Sequence, residues 1–189
     1  MNETIRSFVA IELPDDIKNQ IESYIFELRK FASKLKWVRK ESLHITLKFL
    51  GNQPPQKVDN VIISLLPLGD YCKRFKIAIK NLGSFPNQHR PRVIWLGIEA
   101  IPRELFFQTH AWIENQLDGI GFEKEQRKFS PHLTLARIKF PLDLSRLWNF
   151  VRENPFPAQS FDVNEIVLMR SILKSSGAEY NQIQKYPLR

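Results

Sequence analysis

Leu43-His44-Ile45-Thr46-Leu47-Lys48-Phe49-Leu50 alternates apolar and polar side chains, and Gly51 ends the run. A period of two is the mark of a half-buried strand. Leu43, Ile45, Leu47 and Phe49 are expected on one face, with His44, Thr46 and Lys48 on the other. The core of this pattern returns as His132-Leu133-Thr134-Leu135, 88 residues further on in a chain of 189. Two of the four histidines therefore have Thr two places on and Leu after it. Random placement would pair His with Thr in this way with a chance of about 0.3%, before Leu is counted.

The surroundings of the two motifs also match. The first is preceded by an apolar strand at 8–13, an amphipathic helix at 15–34 and a short strand near Trp37. The second follows a strand at 92–98, a helix at 102–118 and a short strand near Phe122. Each half thus reads β-α-β-β, with the histidine strand closing the unit. A second helix is expected at 55–66, a strand at 75–80 and a last helix near 144–151. Two closing strands are expected, at 161–173 and 179–186. Turn-rich pieces, such as Gly83 to Pro91, are too short to be linkers. This predicts one domain over 1–189, of α+β class and bilobed. The two repeats are related by a pseudo-two-fold axis, and antiparallel sheets face a central cleft.

Composition limits the function classes. Hydrophobic residues make up 43% and charged residues 25%, as in ordinary globular domains. A single cysteine, Cys72, excludes an internal disulfide framework and cysteine-rich metal centres. No apolar run is long enough to span a membrane, and the first residues do not read as a signal peptide. A cytoplasmic monomer is expected, with no membrane partner. The net charge of +8 favours a polyanionic partner. The cations and indole of Lys34-Leu35-Lys36-Trp37-Val38-Arg39-Lys40 read equally well as a contact for base and phosphate or as a lysine-protected strand edge.

Residues i and i+2 of a strand share a face, so each motif projects an imidazole beside a hydroxyl. Two copies across a cleft give one imidazole to act as base, one to act as acid, and two hydroxyl donors for anionic oxygens. A phosphate diester is the natural target of this set, because one proton leaves the attacking group and another reaches the departing alkoxide. Two histidines without clustered Asp, Glu or Cys make a poor metal site, so neither metal nor cofactor is expected. The lack of a glycine-rich nucleotide loop argues against ATP dependence. Lys48 is a candidate phosphate contact or a solvent-facing strand end. His89 and His110 read as incidental, Trp112, Trp148 and Phe106 as core, and Arg92 as an RNA contact or a strand cap. Trp95 reads either as core or as a stacking platform.

The chain resembles the two-histidine (2H) phosphoesterases, and among them the RNA 2′,3′-cyclic phosphodiesterases, also called 2′-5′ RNA ligases. Matching pieces are Arg6-Ser7-Phe8-Val9-Ala10-Ile11, both histidine motifs, Pro91-Arg92-Val93-Ile94-Trp95-Leu96-Gly97, and Val167-Leu168-Met169-Arg170-Ser171 with Gly177 and Tyr180. The resemblance implies that His44 protonates the leaving 3′-oxygen and His132 activates water, giving a 2′-phosphomonoester. It gives Thr46 and Thr134 the phosphate oxygens and puts Arg137 at a phosphate-contacting position. Simple alternation sends Arg137 to the face opposite His132, so either the strand is bulged there or Arg137 is structural. The implied substrates are RNA ends, tRNA fragments among them, or cyclic nucleotides. Ligation through a 2′-5′ bond in the same site, and an RNA- or nucleotide-binding module without turnover, are the alternatives.

Overall fold

Five consecutive residues of the first strand, from Ser7 to Ile11, are buried, which requires cover on both faces. The computed structural model, which describes residues 3–175 and 177–189, provides it. Strand β1 (Ile5–Glu12) lies between β3 (His44–Gln53) and β8 (Glu165–Lys174), and β9 (Gly177–Pro187) completes a sheet in the order β3-β1-β8-β9. Val9 and Ile11 face the main core with Ile17, Ile21, Ile25 and Leu28 of α1 (Asp15–Arg29). Phe8 and Ala10 face the other way and join Val167, Met169 and Tyr180 in a second, small apolar cluster.

The second sheet runs β2-β6-β5-β4-β7 and is antiparallel throughout. Its strands are β2 (Lys36–Trp37), β4 (Phe75–Phe85), β5 (Val93–Ile101), β6 (His132–Arg137) and β7 (Gln159–Val163). Helices α2 (Pro55–Leu65) and α4 (Arg103–Asp118) pack in the main core, with a short α3 (Leu68–Tyr71) and a final α5 (Ser145–Glu153). The two expected sheets, the two lobes and the helix positions are present. No helix among the described residues is long and apolar enough to cross a membrane.

Several expected details change. Helix α1 stops at Arg29 rather than 34, because Phe31 and Ala32 bond to carbonyls three residues back and tighten the chain into a turn. The β2 strand near Trp37 does not stay in its own lobe; it pairs with β6. Its expected counterpart near Phe122 is not a strand: Phe122 closes the end of α4 by donating to the Leu117 carbonyl, and the charged residues after it form a loop. The run 161–173 breaks at Asn164, so β7 edges one sheet and β8 enters the other. Strand β4 continues past Lys80 to Phe85. Asn81 takes φ 57° and is skipped in the pairing with β5, so the strand is re-phased without ending. Strand β5 buries Ile94 and Leu96, whereas Val93, Trp95 and Gly97 are only partly covered.

Candidate active site

The two histidine motifs carry the same irregularity. In β3, Thr46 lies opposite Ala10 and Lys48 opposite Val9, so Leu47 has no cross-strand partner. In β6, Thr134 lies opposite Trp95 and Ala136 opposite Ile94, which leaves Leu135 without one. A single extra residue reverses the facing of the positions that follow it, in β3 up to a second shift at Leu50. Lys48 and Ala136 turn inward and are buried, whereas Phe49 and Arg137 turn outward. Arg137 thereby reaches the face of His132 and Thr134, which resolves the parity conflict in favour of a bulge. Phe49 takes the equivalent place in the first lobe, and the expectation that it faces inward is corrected.

Both imidazoles are held alike. His44 Nδ1 lies 2.9 Å from the Ser42 carbonyl, and His132 Nδ1 lies 2.8 Å from the Ser130 carbonyl. A carbonyl only accepts, so Nδ1 carries the hydrogen in each case and Nε2 is the free nitrogen. Aromatic rings wall each imidazole. Phe8 lies 4.6 Å and Tyr180 4.9 Å from the ring of His44, and Phe85 lies 5.0 Å from that of His132. Trp95 packs on Phe85 and lies over Gly83, where a side chain would run into the indole. It is thereby wedged in the second sheet, opposite Thr134 on β6.

The two lobes meet at these strands. Thr46 and His132 line one cavity of about 800 Å³. Arg137, from the second lobe, acts electrostatically on His44 in the first. The His44 pKa is lowered to about 4, mainly by burial and further by the Arg137 guanidinium, against the opposing Ser42 carbonyl bond. Tyr180 is pushed up by burial, with Arg137 and Arg6 acting in the opposite sense. Thr46 and His132 thus share a cavity, and His44 lies within electrostatic reach of Arg137 from the other lobe.

Lys48 is neither a strand end in solvent nor a free cation for phosphate. Its ammonium sits 2.8 Å and 2.9 Å from the two carboxylate oxygens of Glu114 and 2.8 Å from the Glu123 carbonyl. Glu114 also accepts the Glu125 N–H at 3.0 Å. The pair ties β3 to α4 and to the loop that leads to Ser130 and His132. His110 stacks on Phe129 of that loop at 3.8 Å, and its pKa is lowered, chiefly by burial. His89 lies in an exposed loop capped by the Asn87 side chain. Arg92 donates to the Lys139 carbonyl and straps the end of β6. Trp37 is core, and its Nε1 donates to the Ala32 carbonyl. No group of three or more His, Cys, Asp or Glu able to hold a metal gathers among the described residues.

Sequence reasoning missed Phe85, Glu114 and the Ser42 and Ser130 carbonyls. Phe85 was hidden by the turn-like Gly83–Pro91 composition. Glu114 has no local signal, because its partner is 66 positions away. The carbonyls sit two residues before each histidine, but a backbone acceptor carries no residue signature.

The family model described as LigT like phosphoesterase matches this chain twice, over residues 11–95 and 96–180. The chain belongs to that family, and each of the two matches takes in one histidine motif. An RNA 2′,3′-cyclic phosphodiesterase of Methanocaldococcus jannaschii is 32% identical over 186 residues, covering 96% of this chain and 100% of the relative. One from Aeropyrum pernix is 35% identical over 150 residues, covering 79% and 84%. Among solved structures, one from Thermus thermophilus matches with TM-score 0.79 and 26% identity, covering 97% of this chain and 98% of that one. E. coli LigT complexed with 3′-AMP matches with TM-score 0.77 and 25% identity, covering 98% and 99%.

Proposed function

We propose that this protein hydrolyses RNA 2′,3′-cyclic phosphate ends to 2′-phosphomonoesters, using two histidines and no metal. The observation that carries the reading is the matched pair of Nδ1–carbonyl bonds, which leaves the Nε2 of each imidazole free to move a proton. The names of the relatives support the substrate.

His132 Nε2 takes a proton from water, and the water oxygen forms a bond to phosphorus. The bond from phosphorus to the 3′-oxygen breaks, and His44 delivers a proton to that oxygen. Thr46 and Thr134 donate to the non-bridging oxygens, and Arg137 offsets the charge that builds there. The acid role requires His44 to hold a proton, which burial and Arg137 oppose in the free enzyme. A bound phosphate anion offsets the guanidinium and restores His44 toward its ordinary value.

The test is a short RNA ending in a 2′,3′-cyclic phosphate, incubated with the protein in EDTA, with the product isomer identified by phosphorus NMR. A 2′-phosphate is expected. A 3′-phosphate, or activity abolished by EDTA, would overturn the mechanism.

A further inference from the structure

The basic stretch around Trp37 divides once folded. Trp37 turns into the core, while Lys36 and Arg39 line a small cavity of about 200 Å³ together with Ser42, Arg137 and Tyr180. Lys36 is the register partner of Arg137 on the neighbouring strand, so both side chains stand on one side of the sheet. The Val38 N–H continues that ladder to the Leu135 carbonyl at 2.7 Å. The cavity lining holds three cations and no carboxylate. None of Lys36, Arg39 and Arg137 makes an ion pair among the described residues, and Glu179, next to Tyr180, is paired with Lys174. Clustered cations without acids create a local positive potential that an anion relieves.

The place of this cluster defines the anion. Ser42 lines the cavity and also gives its carbonyl to His44, so the cluster adjoins the His44 wall of the cleft. Under the proposed reaction, His44 faces the leaving 3′-oxygen, so the terminal ribose lies on that wall. The cyclic phosphate closes the 3′ end of an RNA, and the rest of the chain departs from the same ribose through its 5′-oxygen.

We propose that Lys36 and Arg39 form a second anion subsite, which holds the backbone phosphodiester one nucleotide upstream of the cyclic phosphate. The subsite rests on the reading of the cleft given above and makes the enzyme prefer an RNA end to a cyclic mononucleotide. A diffuse positive surface would reward each added phosphate gradually, whereas a subsite rewards the first and little beyond it.

The experiment compares a nucleoside 2′,3′-cyclic phosphate, a dinucleotide ending in the same group and a longer RNA. The protein is the wild type, Lys36→Gln, Arg39→Gln and the double variant, each checked by thermal melting. The wild type should gain about tenfold in kcat/KM between mononucleotide and dinucleotide, through KM, as charge-assisted contacts of this kind give. The double variant should lose that gain and keep its mononucleotide rate within about twofold. Its salt slope on RNA should fall by roughly 0.7, because one phosphate contact is lost. An undiminished gain in the double variant, or an equal loss on the mononucleotide, would overturn the subsite. A wild type that turns over the mononucleotide without gaining on the dinucleotide overturns it as well. A wild type inert on all three substrates would overturn the reading of the cleft itself, and the subsite with it.

Discussion

Leu47 and Leu135 occupy the same position in the two halves of the molecule: each is the unpaired residue of a bulge three places after a cleft histidine. The duplication therefore extends to a backbone irregularity, and that irregularity decides which side chains enter the cleft. Where the first half delivers Phe49, the second delivers Arg137. The cleft is symmetric in its imidazoles and threonines but asymmetric in its charge, with the guanidinium acting on the histidine of the opposite lobe.

Arg137→Gln tests that cross-lobe action. Loss of the guanidinium removes one cause of the low His44 pKa, so the His44 imidazole should titrate at a higher pH, as read by NMR. Activity should fall about 10- to 100-fold as a charge-assisted contact to phosphate is lost. An unchanged His44 titration would place Arg137 outside the electrostatics of the cleft.

The Lys48–Glu114 pair makes a prediction about stability. Both side chains are buried, at 7% and 9% exposure, unlike the other ion pairs among the described residues. Lys48→Met leaves a buried carboxylate without its cation and should cost about 3–5 kcal/mol in urea unfolding. Replacing both, as Lys48→Met with Glu114→Leu, should cost less than the single change, because no orphan charge remains. A double variant weaker than Lys48→Met would contradict this account.

His44 also links stability to pH. Its folded pKa is about 4 against an ordinary 6.5, so as pH falls the unfolded chain takes up this proton first. The contribution is complete above about pH 6.5 and is lost progressively toward pH 4. It amounts to about 1–3 kcal/mol. Urea midpoints at pH 7 and pH 4.5 should therefore converge more in His44→Gln than in wild type. An identical pH dependence in both would place the folded His44 pKa near its ordinary value.

The sequence made the architecture legible wherever a local period carried the information. The alternation around His44 and Ile45, the helical spacing from Ile17 to Leu28 and the recurrence at His132 all survive in the fold. Properties that depend on a distant partner were not legible. Arg137 and Phe49 change face because β5 and β1 pair around an extra residue. Lys48 follows the polar phase of its strand in sequence but is turned inward by the same device to meet Glu114. Asn81 and Phe85 show the same limit: a turn-like composition conceals a strand that is re-phased rather than ended. The second lobe lacks the short strand expected near Phe122, and the β2 strand of the first lobe pairs with β6 instead.

The central claim is that two imidazoles act in one reaction. Its most direct test is the single-turnover rate of cyclic phosphate opening on a short RNA, measured for wild type, His44→Ala, His132→Ala and the double variant. Each single change should cost about 10²- to 10⁴-fold. The double change should be about as slow as the slower single one, since groups that act as a unit are not additive. A single variant that keeps the wild-type rate would contradict the account.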